Sequence, residues 1–283
     1  MAKITTIIES IKPVLINIIS ESPSRNNLFK RNLLKEYLQI VVLDFIYSDP
    51  VYSQLLFYGG SALAHCFGIQ RLSEDLDFID ETKKIKILKL AKDLENYFST
   101  RTDLSVKATA QKFRVHLKFP MLRELGISGR DETDSLLLKV EVFSQFDFCE
   151  QYSTDIRPVF KYNRSILIKT LDMATLLSTK IRAILYRKWE KTDKQGNITV
   201  KVKGRDYFDL LWYLQQGIKP NLSCIEGIET MKDLKEKLLA MVSKIDSQSI
   251  RLDLEALITD ADFVNNLSRN MKAILEREIA EKL

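Results

Sequence analysis

The sequence lacks any apolar run approaching the roughly 18 residues that a membrane-spanning helix requires, so no membrane partner is expected. Its N-terminal stretch is apolar in places, but Glu9, Lys12 and Pro13 interrupt it, which fits an amphipathic helix and not a signal peptide. Cysteine is scarce: Cys66, Cys149 and Cys224 are odd in number and show no C-x-x-C spacing. Reduced, mostly buried thiols in a cytoplasm are the expectation. With only His65 and His116, a histidine-rich zinc site is not expected, and His65 is expected to be packed or hydrogen-bonded and not a catalyst. The sequence has no internal repeat, low-complexity tract or evident disordered linker.

What is present is an ordinary globular composition. Apolar residues make up 45% of 283 positions, enough for one large domain or two modest ones. The net charge of +5 is too mild to indicate nucleic-acid binding by itself.

The chain is organised around residues 55–80, LLFYGGSALAHCFGIQRLSEDLDFID. Leu55 to Tyr58 is an apolar run expected as a buried strand. Gly59 and Gly60 lack a Cβ, so backbone N–H groups there can approach a phosphate. Ser61 adds a hydroxyl at the start of a short helix over 62–67, and a helix N-terminus favours anions. Asp75 and Asp77 then alternate with Leu76 and Phe78, which puts both carboxylates on one face of a strand. Two such charges repel, and a fold tolerates them when a cation sits between. Magnesium, held by carboxylates and nucleotide phosphates, is the usual one. A lone Gly-Gly-Ser is usually a turn, and a lone Asp-x-Asp a solvated strand end. Their order, with thirteen residues between Ser61 and Asp75, makes the pair specific.

That pattern resembles the polymerase-β-like nucleotidyltransferases. The fuller strings, Gly59-Gly60-Ser61-Ala62-Leu63 and Arg71-Leu72-Ser73-Glu74-Asp75-Leu76-Asp77-Phe78, are similar to the AbiEii/AbiGii family, toxins of bacterial type IV toxin–antitoxin and abortive-infection systems. The resemblance implies Gly59, Gly60, Ser61, Arg71 and Ser73 at the nucleotide and Asp75 and Asp77 at one or two Mg2+ ions. It also implies a third carboxylate on a neighbouring strand, as metal ligand or general base. Glu141, the one acid in the apolar run 136–143, is the matching position. From the residues alone, Glu141 either pairs with a basic group such as Lys139 or faces the metal.

Around these motifs, apolar residues at spacings of three and four give a helix over 28–47, ended by Ser48-Asp49-Pro50. A second helix is expected over 83–98, then strands over 104–108, 113–119 and 136–143. A polar connection with Gly126, Gly129 and 131–134 precedes the last. The segment 152–164, polar and holding Pro158, is a plausible seam, and 165–169 a last strand. The expected fold is α+β: a nucleotidyltransferase-type mixed sheet of four or five strands with flanking helices, and a C-terminal helical domain. The division expected is residues 1–165 and 166–283, with the site in the cleft between.

The second domain opens on a helix from 171, capped by Thr170 or Asp172, that carries Lys180 and Arg187. With Arg205-Asp206-Tyr207-Phe208-Asp209-Leu210 these form the second match to the AbiEii family, which implies that Lys180 neutralises phosphate charge and that Asp206 orients it or binds nucleotide. Residues 189–204 depart from the family pattern and suggest a β-hairpin insertion around Gln195-Gly196-Asn197. From Lys180 to Arg205 there are nine basic and two acidic residues. That cluster fits either a polynucleotide grip or a solvated hairpin. Further helices are expected over 231–242, 252–258 and 261–280.

The resemblance implies an enzyme that transfers a nucleoside monophosphate from an NTP to an RNA acceptor, the tRNA 3′ end, and so blocks translation. It also implies a cognate AbiEi-like antitoxin encoded nearby. A small-molecule or protein hydroxyl as acceptor, or a nucleotide- or RNA-binding module without turnover, are the alternatives.

Overall fold

The structure, a computed structural model, describes residues 8–22, 25–129, 133–187, 191–192, 195, 198–200 and 202–283. Two compact units partition the chain. Residues 1–66, 72–145 and 156–169 form the first, and residues 67–71, 146–155 and 170–283 the second.

The first unit begins with helices α1 (Lys12–Ser20) and α2 (Asn27–Ser48). Pro13 lies in the first turn of α1, where its missing N–H costs nothing. Asn26 caps α2 by accepting from Phe29 N–H at 2.7 Å. Next come β1 (Leu56–Tyr58), the short α3 (Gly59–Ala62), a π-helical turn (Leu63–Phe67) and β2 (Leu76–Ile79). Then follow α4 (Ile87–Arg101), β3 (Lys107–Gln111), β4 (Arg114–Pro120), β5 (Ser135–Phe143), β6 (Thr154–Lys161) and β7 (Arg164–Leu171).

The seven strands make one mixed sheet in the order β3-β4-β5-β2-β1-β7-β6. Strand β2 runs antiparallel to β1 and parallel to β5, and β4 is antiparallel to both β3 and β5. Strand alternation puts Leu76, Phe78, Val140, Val142, Val115 and Leu117 on one face, in a single core with Leu38, Val42 and Ile46 of α2 and Leu90, Leu94 and Phe98 of α4. Asp77 and Glu141 therefore lie on the opposite face.

The sheet exceeds the four or five strands expected, because the segment read as a polar seam folds into β6. Tyr162 and Asn163, at φ of 51° and 58°, turn the chain back into β7, the conformation that a two-residue hairpin demands. Pro158 sits in the edge strand, where a missing ladder donor is tolerated.

The second unit contains α5 (Met173–Tyr186), the two-stranded β8 (Lys191–Thr192) and β9 (Ile198–Val200), α6 (Gly204–Gln215), α7 (Met231–Val242), α8 (Ser247–Leu254) and α9 (Ala261–Lys282). Asp172 caps α5 through Thr175 N–H at 2.7 Å. Helices α6 and α7 pack on α5, and α8 and α9 pack on α6. Strands β8 and β9 pair antiparallel, as the hairpin reading expects. Gly196, Asn197 and Lys201 lie outside the described residues. Helix α8 starts five residues earlier than expected, because Asp246 caps it through Ser249 N–H at 2.8 Å.

The expectation of three free thiols does not hold. Cys149 and Cys224, 75 residues apart with Cα atoms at 4.1 Å, form a disulfide within the second unit, and Cys66 is not part of a disulfide. Among the described residues no helix is long and apolar enough to cross a membrane.

Candidate active site

The glycine turn and the acids meet at the centre of the first unit's sheet. Tyr58, the last residue of β1, pairs with Asp77, and Asp77 pairs with Glu141 across the parallel β2–β5 ladder. Gly59 follows Tyr58 at φ +79°, a left-handed conformation that disfavours any side chain. A Cβ placed there would lie 2.7 Å from Asp77 Oδ2, so the backbone turn and the carboxylate touch. Gly59, Gly60 and Ser61 open α3, and the first N–H groups of a helix have no partner within it.

Each end of the acidic group is matched by a cation. Lys139 Nζ lies 3.5 Å from Asp75 Oδ2. Arg114, opposite Glu141 in the β4–β5 ladder, brings Nε to 2.6 Å from Glu141 Oε1. The sequence left Glu141 either a basic partner such as Lys139 or the metal; the cation beside it is Arg114, and Lys139 lies beside Asp75. Among the described residues no group of three or more His, Cys, Asp or Glu side chains is gathered as a metal-binding cluster. The donor set still fits a hard cation in kind, since Asp75, Asp77 and Glu141 offer only carboxylate oxygens. Holding one ion with all three requires Lys139 and Arg114 to give way.

The loop that carries Asp75 is pinned from two sides. Ser61, fully buried, donates its hydroxyl to the Asp75 carbonyl. Gln39 of α2, also buried, donates from Nε2 to the Ser73 carbonyl at 3.0 Å. Its Oε1 meets His65 Nε2 at 2.8 Å, so His65 carries its proton on Nε2, and Nδ1 is buried without a hydrogen-bond partner among the described residues. Burial, then the charge of Lys161, lowers the His65 pKa to about 3, which keeps the ring neutral. Ser61 and Ser73, expected at the nucleotide, thus spend the hydroxyl of one and the carbonyl of the other on shaping the loop.

Lys180, Asp206 and Arg71 belong to the second unit. Lys180 Nζ lies 2.7 Å from Asp206 Oδ1, the pairing expected, and 2.8 Å from Asp209 Oδ2, which was not. Arg71 donates from Nε and Nη2 to the two Asp209 oxygens at 2.6 and 2.7 Å, with side-chain exposures of 1% and 0%. Arg71, expected at the nucleotide, is thus buried and turns its Nε and Nη2 to Asp209. Burial opposes charge on Asp206, but Lys180 and Lys203 outweigh it and hold its pKa down to about 2. Burial likewise opposes the Lys180 charge, and Asp206 with Asp209 raises its pKa nonetheless. Lys203, half-buried beside Arg205, is pushed down to about 8 by burial first and by that neighbour second.

Sequence reasoning missed Arg114, Gln39 and Asp209 as partners. Asp209 stood inside the quoted Arg-Asp-x-x-Asp-Leu string. Arg114 and Gln39 carried no signal, because cross-strand register and helix-to-loop contacts are not written in local spacing.

A family model for the nucleotidyl transferase AbiEii toxin of type IV toxin–antitoxin systems matches residues 44–282. No curated protein matches the chain. Among solved structures, the crystal structure of JHP933 from Helicobacter pylori is similar, with 17% identity, 88% of this chain and 94% of that one covered, and a TM-score of 0.46. A second H. pylori structure, provisionally named a nucleotidyltransferase, matches at 17% identity, 88% and 96% coverage and a TM-score of 0.46. At that level of likeness the family match alone carries the assignment.

Proposed function

The chain belongs to the AbiEii family of nucleotidyl transferase toxins of type IV toxin–antitoxin systems, and from that premise we propose that it transfers a nucleoside monophosphate from an NTP to the 3′ end of tRNA in the cytoplasm, blocking translation. Membership also implies a cognate antitoxin, which we take to be AbiEi-like and encoded nearby. The observation that carries the reading is the contact of Gly59 with Asp77, which sets a phosphate-approachable backbone turn against a carboxylate.

In this reading the acceptor hydroxyl attacks the α-phosphorus, the α–β bridging bond breaks and pyrophosphate leaves. The N–H groups of the Gly59–Gly60–Ser61 turn bind the triphosphate. Glu141, once Arg114 gives way, serves as the third metal ligand or takes the proton of the acceptor hydroxyl. Asp75, Asp77 and Glu141 would hold Mg2+, which when bound counters charge on the attacking and leaving oxygens. Lys139 neutralises Asp75 when no ion is bound. Lys180, held by Asp206 and Asp209, enters as the family's phosphate-countering lysine.

The test is purified protein with Mg2+, each α-labelled NTP and total tRNA. Label in tRNA supports the proposal. Label in protein or small molecules reassigns the acceptor, and no label with any acceptor leaves a binding module.

A further inference from the structure

Three aromatic rings stand beside the acids, and the proposed chemistry leaves them without a task. Tyr58 is the cross-strand partner of Asp77, and Phe143 lies two residues beyond Glu141 on the same strand face. Phe113 occupies the tip of the β3–β4 hairpin, after Lys112 at φ +52°. Its carbonyl accepts from Val142 N–H at 2.8 Å, which fastens the tip to β5. The Phe113 and Phe143 rings then meet at 4.7 Å between centroids, tilted by 36°. Tyr58 stands edge-on to Phe143 at 6.2 Å. The Arg114 guanidinium carbon lies 4.5 Å from the Phe113 centroid while its Nε lies 2.6 Å from Glu141 Oε1. All three rings are half-buried, so each keeps surface open to solvent.

A hydrophobic core gains nothing from leaving such rings half open on the acid-bearing face. Flat π-surfaces topped by a guanidinium are what a heteroaromatic base stacks on. We propose that Phe113 and Phe143, flanked by Tyr58 and Arg114, form a stacking site for a nucleobase. The inference rests on the proposed nucleotidyl transfer for the presence of a nucleotide. Stacking uses the π-face that every base has, so the site tolerates different bases.

The base belongs either to the NTP or to the acceptor RNA, and the experiment separates these sources. Isothermal titration calorimetry measures binding of ATP, CTP and inorganic tripolyphosphate to wild type, Phe113→Leu, Phe113→Trp and Phe143→Leu. Expected for the NTP source is roughly 10-fold weaker binding of both nucleotides to the leucine variants, unchanged tripolyphosphate binding, and rescue by Phe113→Trp. For the acceptor source, nucleotide binding is unchanged and calorimetric affinity for total tRNA falls in the leucine variants, with the same rescue. Unchanged affinity for all three nucleotide-bearing ligands, or a loss equal to that for tripolyphosphate, overturns the proposal. Phe113 is at a hairpin tip, so Phe113→Leu remains informative if Phe143→Leu fails to fold. Because calorimetry needs no turnover, an absence of transfer activity would count against the enzymatic reading alone.

Discussion

Gly59 and Asp77 leave no space for a methyl group between them. A Cβ on Gly59 would sit 2.7 Å from Asp77 Oδ2, and the backbone there has φ +79°. Gly59→Ala therefore meets both a strained conformation, costing about 1–3 kcal/mol, and a displaced carboxylate. Thermal unfolding is expected to show the loss, and labelling assays a loss of transfer. Removing the carboxylate with Asp77→Ala in the Gly59→Ala background should return part of the stability and none of the activity. A Gly59→Ala protein as stable and active as wild type would contradict the contact.

Gln39 lies outside the family match, yet it holds the Ser73 carbonyl and His65 together. Gln39→Leu leaves two buried polar groups unpaired at about 1–3 kcal/mol each. Chemical denaturation should report that cost. Because Ser73 lies two residues from Asp75, kcat should fall with little change in KM for the NTP.

The same histidine sets a pH dependence. Its folded pKa, about 3, lies below the unfolded value of about 6.5, so the unfolded chain takes up the proton first as pH falls. The contribution of the neutral ring is complete above about pH 6.5 and is lost progressively towards about pH 3. Between about pH 6.5 and 4 the loss approaches ~3 kcal/mol, at ~1.4 kcal/mol per unit. Urea denaturation across that range should show a flatter profile for His65→Gln. The Asp206 contribution, from a carboxyl at about 2, is lost only as pH falls from about 4 towards 2.

Asp209 is the hub of the second unit's ion network. Asp209→Ala removes the carboxylate that takes both Arg71 Nε and Nη2 in a site with 1% exposure, at a cost of about 3–5 kcal/mol. Replacing both, Arg71→Met with Asp209→Leu, should cost much less than the single change. A single variant no less stable than the double would show that the lost Asp209–Arg71 pairing is not the source of the cost.

The parts of this molecule legible in the sequence were those written locally. The apolar run gave β1, and Lys180 does meet Asp206, but the helix expected over 62–67 begins at Gly59 and turns π-helical over Leu63–Phe67, and Asp75, expected in the strand with Asp77, lies just before β2. Partners set by tertiary packing were not legible. Arg71 and Asp209 are 138 residues apart, and nothing near Arg71 marks it as buried. Ser61 stood where a phosphate ligand was expected, but tight packing against the Asp75 loop turned its hydroxyl inward. Strand β6 was hidden because Pro158 and polar residues are what an edge strand carries.

The identity of the transferred group is the most direct measure. Protein, Mg2+ and total tRNA are incubated with the same NTP labelled at either the α- or the γ-phosphate, for wild type and Asp77→Asn. Nucleotidyl transfer predicts α-label in tRNA, γ-label only in pyrophosphate, and neither in tRNA for a folded Asp77→Asn. Transfer of γ-label to the acceptor, or undiminished α-labelling by Asp77→Asn, would contradict the account.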